Sequence, residues 1–269
     1  MNDLQKAEFE LLKAFVTACD TLQLRYYLVC GSALGAVKYG GFIPWDDDID
    51  VAMPRQDYEV FLEKAPALLP PHLFLQHRKT EAFYPHYAAK LRNSNTTFME
   101  NTVAHLPINH GIFLDIFPLD GYPAAPKAQA RLERRKQWFQ LKQQAMFRSD
   151  CSPKVKLLRA LFRALGIHKN FPKHVAAFEK AAAHPTENAE VWCNHGNWQG
   201  KLEYAPRWHY GDGALASFEG LQVRIPEGFD DYLTQKYGDW RADLPEDQKV
   251  GHHYHGIMDL GKPYTAYQN

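Results

Sequence analysis

The residues with the clearest chemical potential in this 269-residue chain are the acidic side chains of the segment GGFIPWDDDIDVAMP, residues 40–54. Side chains alternate between the two faces of a strand, so Asp48 and Asp50 should point one way while Ile49 and Val51 point into a core. Two carboxylates held side by side repel, and one is driven toward protonation unless a cation lies between them. Mg²⁺ prefers such oxygen ligands. The segment therefore predicts a magnesium site at the start of a strand.

A third acidic residue, Asp115, lies in the segment GIFLDIFPLD and shares a strand face with Phe113 and Phe117. A lone carboxylate in an apolar strand costs free energy unless it is paired or bound to a metal. We therefore predict Asp115 as the third ligand. Three convergent carboxylates favour phosphoryl transfer that uses two Mg²⁺ ions.

A phosphate site is predicted where Gly31 and Ser32 connect the apolar segment YYLVC to a short helix, ALGAVKY. Backbone N–H groups and a hydroxyl at a helix N-terminus can hold a phosphate. Alone, a Gly-Ser pair is usually only a helix cap. Because this pair lies sixteen residues before the Asp-x-Asp strand, we predict that Gly31 and Ser32 bind phosphate oxygens.

Two other interpretations of the acidic segment remain open, a solvated acidic turn and a calcium-binding loop. Positions 1, 3, 5 and 12 of an EF-hand loop would be Asp46, Asp48, Asp50 and Asp57. However, Val51 replaces the glycine that such a loop needs at position 6, and Pro54 falls inside it. The metal-dependent enzyme is the favoured interpretation.

These motifs together resemble the nucleotidyltransferase superfamily typified by DNA polymerase beta and, more narrowly, the LicD family. The resemblance covers residues 10–255, and its motifs are GSALGAVKYGGFIPWDDDIDVAMPRQDYEVF, FLDIFPLDGYP and FEGLQVRIPEGFDDYLTQKYGDW. Two departures stand out, since the family's usual Gly-Thr-Leu-Leu-Gly is GSALG here and its usual Val-Arg-His is Val37-Lys38-Tyr39. The resemblance implies an α+β, nucleotidyltransferase-like (polymerase-beta-like) fold with a mixed sheet and a helical insertion.

The LicD family consists of phosphorylcholine transferases, and fukutin-type sugar phosphotransferases are relatives. The resemblance implies Mg²⁺-dependent transfer of phosphocholine from CDP-choline to a sugar hydroxyl of a cell-surface glycan precursor, of the lipopolysaccharide or teichoic-acid type. CMP is released. The close alternative is transfer of another group, such as ribitol phosphate, glycerol phosphate or a nucleotide. The distant alternative is a calcium-binding or adaptor protein without catalytic activity.

In that chemistry Asp48 and Asp50 would hold Mg²⁺ on the donor diphosphate. Asp115 would hold the metal next to the acceptor hydroxyl and accept its proton.

The resemblance also implies cationic residues that neutralise charge on the departing CMP, and the candidates are Lys38, Lys90 and Arg92. For the donor's quaternary ammonium, Trp45 is the predicted cation–π partner because it directly precedes the metal strand.

The elements that must position these residues follow from hydrophobic periodicity and turn signals. Helices are predicted over 4–22, from 57 and over 228–237, and strands over 26–30, 48–53, 87–92, 111–117 and 218–226. We expect a nucleotidyltransferase-like catalytic core in residues 1–126, a basic helical insertion in 127–190, and a C-terminal strand–helix segment in 191–269 that completes the core.

Charge is distributed unevenly along the chain. The 31 Lys and Arg residues balance 31 Asp and Glu, which excludes a global basic field for nucleic acid. Residues 127–173 nevertheless carry thirteen basic residues against two acidic ones, a net charge of +11 (13 − 2). We interpret this stretch as a contact with an anionic membrane surface, made by a helix face that includes Arg159 and Arg163.

The remaining polar motifs bear on compartment and metal type. The cysteines at 19, 30, 151 and 193 form no C-x-x-C pair, and the charged N-terminus is unlike a signal peptide. We therefore expect a cytoplasmic enzyme, peripheral at the inner face of the membrane. The sequence leaves the role of His252, His253 and His255 open. A zinc site that joins them to Cys193 and His195 fits no standard spacing.

Overall fold

The computed structural model describes residues 1–148, 152–183, 188–196, 200–251, 253 and 255–268. It is an α+β structure, as predicted. The helices in this part of the chain are α1 (Asp3–Leu22), α2 (Cys30–Tyr39), α3 (Arg55–Lys64), α4 (Pro126–Gln143), α5 (Pro153–Ala164), α6 (Phe171–Ala182), α7 (Arg207–Tyr210) and α8 (Phe229–Tyr237). Within that same part, no helix is both long enough and apolar enough to cross a bilayer.

The strands form one large mixed sheet and two small antiparallel pairs. In chain order they are β1 (Tyr27–Leu28), β2 (Asp50–Pro54), β3 (Leu73–Gln76), β4 (Ala89–Asn93), β5 (Thr97–Glu100), β6 (Ile112–Gly121), β7 (Val191–Asn194), β8 (Tyr204–Pro206), β9 (Ala214–Phe218), β10 (Leu221–Ile225) and β11 (His255–Asp259). The large sheet has the order β1-β2-β6-β4-β3, and β7 joins β6 to β8. The small pairs are β9 with β10 and β5 with β11.

The central strand β6 organises the large sheet. It pairs in parallel with β2 and antiparallel with β4 and β7. Every residue of β6 is buried, which explains why its sequence is mostly apolar on both faces, with Asp115 and Asp120 as the acidic exceptions. Functional side chains on β2, β4 and β6 are therefore fixed by a rigid, buried scaffold.

Helix α1 packs on this sheet and holds the acidic segment through hydrogen bonds. Its first turn is closed by a capping box between Asn2 and Gln5. The Gln5 amide then donates to the backbone carbonyls of Ile43 and Asp46, at 3.3 and 3.0 Å. Farther along the helix, Phe15 is fully buried against neighbouring aromatic rings. The helix thus ties the core directly to the loop that carries the acidic residues.

Helices α4, α5 and α6 lie between β6 and β7 in the sequence, and α4 and α6 contribute to a separate apolar cluster. Phe139 and Phe178 stack there with ring centroids 4.7 Å apart. The prediction that Arg159 and Arg163 face a membrane surface is wrong. Arg159 is buried and donates to the Gln144 side chain, whereas Arg163 donates to the backbone carbonyl of Ala145. Both guanidinium groups dock α5 onto the protein.

Most predicted elements are confirmed with shifts of up to four residues at their ends. The acidic strand begins at Asp50, so Asp48 lies in the preceding loop. The strand predicted over 218–226 is confirmed as β10, but residues 218–220 form the end of β9 and the turn of a β9–β10 hairpin that the sequence did not predict. Its turn residues Glu219 and Gly220 both have positive φ, the geometry of a tight two-residue hairpin turn.

Candidate active site

The centre of the site is a row of charged side chains on three adjacent strands. The parallel register of β2 and β6 sets Asp50 beside Asp115, and the antiparallel register of β4 and β6 sets Lys90 on its other side. Residues in register on neighbouring strands project to the same face of a sheet. Two predicted carboxylates and one predicted cation therefore converge here, and the Lys90 ammonium lies 3.1 Å from the Asp115 carboxylate.

The loop before β2 adds further carboxylates and a histidine. The His253 imidazole lies 3.3 Å from Asp47 Oδ1 and 3.6 Å from Asp48 Oδ2, and the His253 backbone N–H donates to Asp47 at 3.0 Å. Burial lowers the pKa of His253, but the hydrogen bond that its imidazole donates to Asp47 and the charge of Asp48 outweigh burial and raise this pKa to about 9. His253 is therefore an imidazolium at neutral pH and a counter-ion of the acidic loop.

The acidic side chains nevertheless outnumber their cationic partners. Burial, reinforced by repulsion from Asp48 and Asp115, raises the pKa of Asp50 well above its usual range. Burial and the charges of Asp48 and Asp47 raise the pKa of Asp46 to about 8. Burial also raises the pKa of Asp48, although His253 opposes that shift. Repulsion of this kind is relieved when a cation binds.

Glu8 on α1 is a further acidic residue that the sequence did not single out. Its side chain is buried, and its Oε2 atom has no hydrogen-bond partner among the described residues. Burial raises the pKa of Glu8, and the charges of Asp48, Asp47 and Asp46 raise it further. Helical periodicity could have placed Glu8 on the buried stripe beside Leu11 and Leu12, a costly position for a carboxylate.

These features fit a divalent cation. The charges of Asp48 and Asp115 disfavour the ionised form of Asp50. Glu8 Oε2, which has no hydrogen-bond partner among the described residues, adds a further oxygen close enough to interact with the acidic loop. Among the described residues, the metal-ligating atoms that all lie within 4.8 Å of one another belong to Asp47, Asp48 and His253. The sequence therefore missed Asp47, which an alternating strand would have turned away from Asp48.

A cavity of about 390 Å³ opens beside the carboxylates. Its walls include the acidic residues Asp46, Asp48 and Asp50. The aromatic lining residues are Tyr39, Trp45, Tyr237 and Trp240. The cavity therefore combines carboxyl groups and aromatic rings in one lining. A larger, more open cavity of about 730 Å³ lies near Trp208 and Asp212, and its walls contain none of the predicted site residues.

Gly31 lines the cavity, and its role in binding phosphate stays a prediction. A Cβ atom at this position would come within 2.7 Å of Asp46 Oδ2, so any other residue would require the Asp46 carboxyl group to move.

Lys38 also lines the cavity, but its ammonium is engaged. It donates to the backbone carbonyls of Arg241 and Ala242, at 3.0 and 2.8 Å, and pairs with Asp243 at 3.0 Å. Lys38 therefore joins α2 to the segment after α8, and its role at a substrate stays a prediction.

Arg92 lies on β4 but is not brought to the cavity. The side chain is fully buried, and its guanidinium donates to the Gln76 side chain, the Gly111 carbonyl and Glu100. Burial alone would raise the pKa of Glu100, but Lys90 and Arg92 together lower it far below its usual range. Glu100 thus links Arg92 to Lys90, and Arg92 can influence the site through that ion-pair network.

Ser32 lies in the first turn of α2, and its hydroxyl accepts the backbone N–H of Asp50 at 2.8 Å. The predicted phosphate ligand therefore also holds the acidic strand in place. An Ala at this position would leave the buried Asp50 N–H without that acceptor.

We expect Ser32→Ala to lower the free energy of unfolding by about 1–3 kcal/mol, the cost of one unsatisfied buried donor. Urea denaturation measures it. Ser217→Ala is the matched control, since Ser217 is exposed on β9. Equal stability of the Ser32 and Ser217 variants would show that the Ser32–Asp50 hydrogen bond is dispensable.

The alternative metal sites are not supported. Residues 50–54 form a continuous strand, which is incompatible with an EF-hand loop. Cys193 on β7 lies 3.1 Å from His195, which directly follows that strand. His253 instead contacts the acidic loop. The described residues of the predicted zinc site therefore lie in two different parts of the structure. His252 lies outside the described residues.

Comparisons with known proteins relate the whole chain to a family. A sequence model of the family described as LicD/FKTN/FKRP, nucleotidyltransferase domain, matches residues 23–165, more than half of the chain. The chain is 27% identical to the lipopolysaccharide cholinephosphotransferase LicD of Haemophilus influenzae over 270 residues, which cover 94% of this chain and 96% of that protein. It is also 28% identical over 115 residues to an uncharacterized protein of Rickettsia prowazekii, covering 43% of this chain and 40% of that one.

Proposed function

This chain belongs to the LicD family, and from that premise we propose that it is a phosphocholine transferase with a nucleotidyltransferase-like core. The donor is CDP-choline, the acceptor is a sugar hydroxyl of a cell-surface glycan precursor of the lipopolysaccharide or teichoic-acid type, and CMP is released. The observation that carries the proposal is the cavity of about 390 Å³, whose lining combines the carboxyl groups of Asp46, Asp48 and Asp50 with four aromatic rings. A phosphocholine donor needs a site for its metal-bound diphosphate and a site for its quaternary ammonium, and such a lining offers both kinds of group.

In this proposal Asp48 and Asp50 hold Mg²⁺ on the donor diphosphate, and Asp115 holds it on the acceptor side. Bound Mg²⁺ neutralises phosphate charge and makes a contacting hydroxyl more acidic. The Asp115 carboxylate accepts the proton of the attacking sugar hydroxyl. Lys90 compensates the charge of Asp115 at 3.1 Å and is fixed in turn by Glu100 at 3.8 Å. His253 likewise compensates negative charge in the loop that carries Asp48.

The aromatic residues that line the cavity support a quaternary ammonium as the donor's head group. Three cavity rings already lie near cations of the chain itself. The Lys38 ammonium lies 5.8 Å from the centre of the Tyr39 ring, and the Lys249 ammonium lies 5.3 Å from that of Trp45. The Arg241 guanidinium lies 4.1 Å from the centre of the Trp240 ring. Choline offers no N–H donor, so its recognition depends on such ring faces and on nearby negative charge. The carboxyl groups of Asp46, Asp48 and Asp50 line the same cavity.

Trp45 is the ring that adjoins the acidic loop, and we expect Trp45→Leu to lower kcat/KM for CDP-choline about 5- to 30-fold, the value of a cation–π contact of about 1–2 kcal/mol. CDP-glycerol, which has no cation, should lose little. Steady-state kinetics with both donors measures the difference. Trp208→Leu is the control, because Trp208 is exposed at the other cavity. An equal loss with both donors would make Trp45 a scaffold residue.

The proposed reaction itself is tested with purified protein, Mg²⁺, a glycan acceptor and a panel of donors: CDP-choline, CDP-ribitol, CDP-glycerol and nucleoside triphosphates. ³¹P NMR follows release of CMP. We expect CDP-choline to react fastest and a chelator to stop the reaction. Faster turnover of another CDP-alcohol would keep the transferase and change the transferred group. Tight Ca²⁺ binding with no turnover of any donor would favour the non-catalytic alternative.

A further inference from the structure

Helix α5 turns an apolar face to the solvent. Leu157, Leu161 and Leu165 follow at intervals of four residues, so they lie along one side of the helix. Their exposed fractions are 73%, 52% and 67%. Ala160 and Ala164 are also exposed, which makes the strip continuous. We call these five residues the leucine face. Single exposed leucines are ordinary on a protein surface, but a contiguous apolar strip marks a contact site.

The orientation of α5 is fixed by its opposite side. Phe162 is buried there, Arg159 donates to the Gln144 side chain at 3.1 Å, and Arg163 donates to the carbonyls of Ala145 and Phe147 at 2.9 and 3.2 Å. A helix with both long basic and long apolar side chains would gain free energy in water by burying its leucines. Here the arginines face the protein, so the leucine face is available to a partner.

The charges near the leucine face indicate the chemistry of that partner. Lys154 and Lys156 are exposed in the first turn of α5, and Lys169 is exposed shortly after the helix ends. The surrounding stretch, residues 127–173, has a net charge of +11. An apolar strip with lysines at its ends suits the boundary between acyl chains and anionic headgroups of a bilayer.

We propose that α5 is an interfacial helix that inserts its leucine face into the surface of an anionic membrane. A second copy of the chain fits less well. Three leucines and two alanines bury far less than the roughly 800 Å² per partner of a standard protein interface. The lysines at the ends would also add like charge to a self-contact. The proposal concerns a surface remote in sequence from the carboxylates and does not depend on the proposed reaction.

Flotation with lipid vesicles tests the proposal. Wild-type protein should bind vesicles of phosphatidylcholine with 30% phosphatidylglycerol, bind pure phosphatidylcholine at least ~5-fold more weakly, and lose binding in 0.5 M NaCl. The triple variant Leu157→Ser/Leu161→Ser/Leu165→Ser should lose at least ~10-fold in binding to the anionic vesicles, since each leucine contributes transfer free energy. Circular dichroism should show that it remains folded.

Matched controls separate a specific face from general hydrophobicity. Leu68→Ser/Leu202→Ser/Leu215→Ser removes three leucines that are exposed elsewhere, and binding should be unchanged. In Leu161→Trp, the new indole should shift its fluorescence to the blue on vesicle binding and be quenched by brominated lipids. Absence of wild-type binding, or equal binding by both triple variants, overturns the proposal. So does a dimer in solution that only the α5 triple variant dissociates.

Discussion

Asp50→Asn should reduce turnover by about 1,000-fold or more, a loss of about 4 kcal/mol in transition-state stabilisation, because it removes a charged oxygen from the proposed magnesium site. Asp48→Asn and Asp115→Asn should lose a similar factor. Asparagine keeps the size of each side chain, so the loss reports charge rather than packing. Rates are measured in saturating donor and Mg²⁺, and circular dichroism verifies the fold.

A conservative control comes from the other cavity, where Asp212→Asn changes an exposed carboxylate and should leave turnover intact. Wild-type turnover in any one of the three site variants would remove that residue from the proposed metal-binding set. Loss of turnover in all three, with Asp212→Asn unaffected, would support the proposed metal site.

Although Asp50→Asn should reduce turnover, it should increase the stability of the protein when no metal is bound. Burial and the charges of Asp48 and Asp115 raise the pKa of Asp50 above 3.8, its ordinary value. An acid with a higher pKa in the folded state stabilises the fold below its unfolded pKa, and this contribution is lost as the pH rises through the folded pKa. Metal-free Asp50→Asn should therefore melt above the wild type at pH 8, and the difference should shrink toward pH 4. Mg²⁺ should raise the wild-type Tm and leave the variant's Tm unchanged.

The part of the site that the sequence predicts correctly is local. The apolar alternation around Asp50 and the continuous apolar run around Asp115 identify two buried strands without reference to the rest of the chain. Gly31 and Ser32 begin a helix because a short apolar strand and a glycine stop delimit it. Such patterns depend on neighbouring residues, which explains why these elements are confirmed.

The missing part depends on contacts between distant segments. His253 reaches the acidic loop because β11 pairs with β5, an arrangement that local periodicity does not encode. Lys90 pairs with Asp115 through the register of β4 and β6, which fixes it beside a proposed metal ligand. The sequence predicts Arg159 on an outward, membrane-facing side of its helix because charged residues are usually exposed, whereas the leucines of α5 take that position.

A second set of charges, away from the cavity, holds the scaffold together. Arg55 follows β2 directly, and its guanidinium forms a bidentate ion pair with Asp120 on β6, at 2.7 and 3.0 Å. The Tyr87 hydroxyl accepts from Arg55 at 2.6 Å and donates to Asp120 at 2.8 Å. Asp120 is fully buried. The ion pair therefore joins the C-terminal ends of β2 and β6. The same two strands carry Asp50 and Asp115 nearer their N-terminal ends.

Breaking this pair from one side should be costly, because the buried Arg55 guanidinium loses its bidentate partner and is left with the longer carboxylate contacts to Glu59 at 3.3 Å and Glu179 at 3.5 Å. We expect Asp120→Leu to lower the free energy of unfolding by about 3–5 kcal/mol. Urea denaturation at pH 7.5 measures the change. The control is Arg25→Met, which removes a half-exposed ion pair between Arg25 and Asp57 and should cost at most about 1 kcal/mol.

The double variant Arg55→Met/Asp120→Leu decides whether the pair or the packing carries this stability. Replacing both charges by apolar side chains removes the incompletely paired guanidinium along with the ion pair, so the double variant should be more stable than Asp120→Leu alone. Tyr87 would lose two hydrogen-bond partners, which limits the recovery. A double variant as unstable as the sum of the two single variants would show that Arg55 and Asp120 act independently. In that case the ion pair would not be what joins β2 to β6.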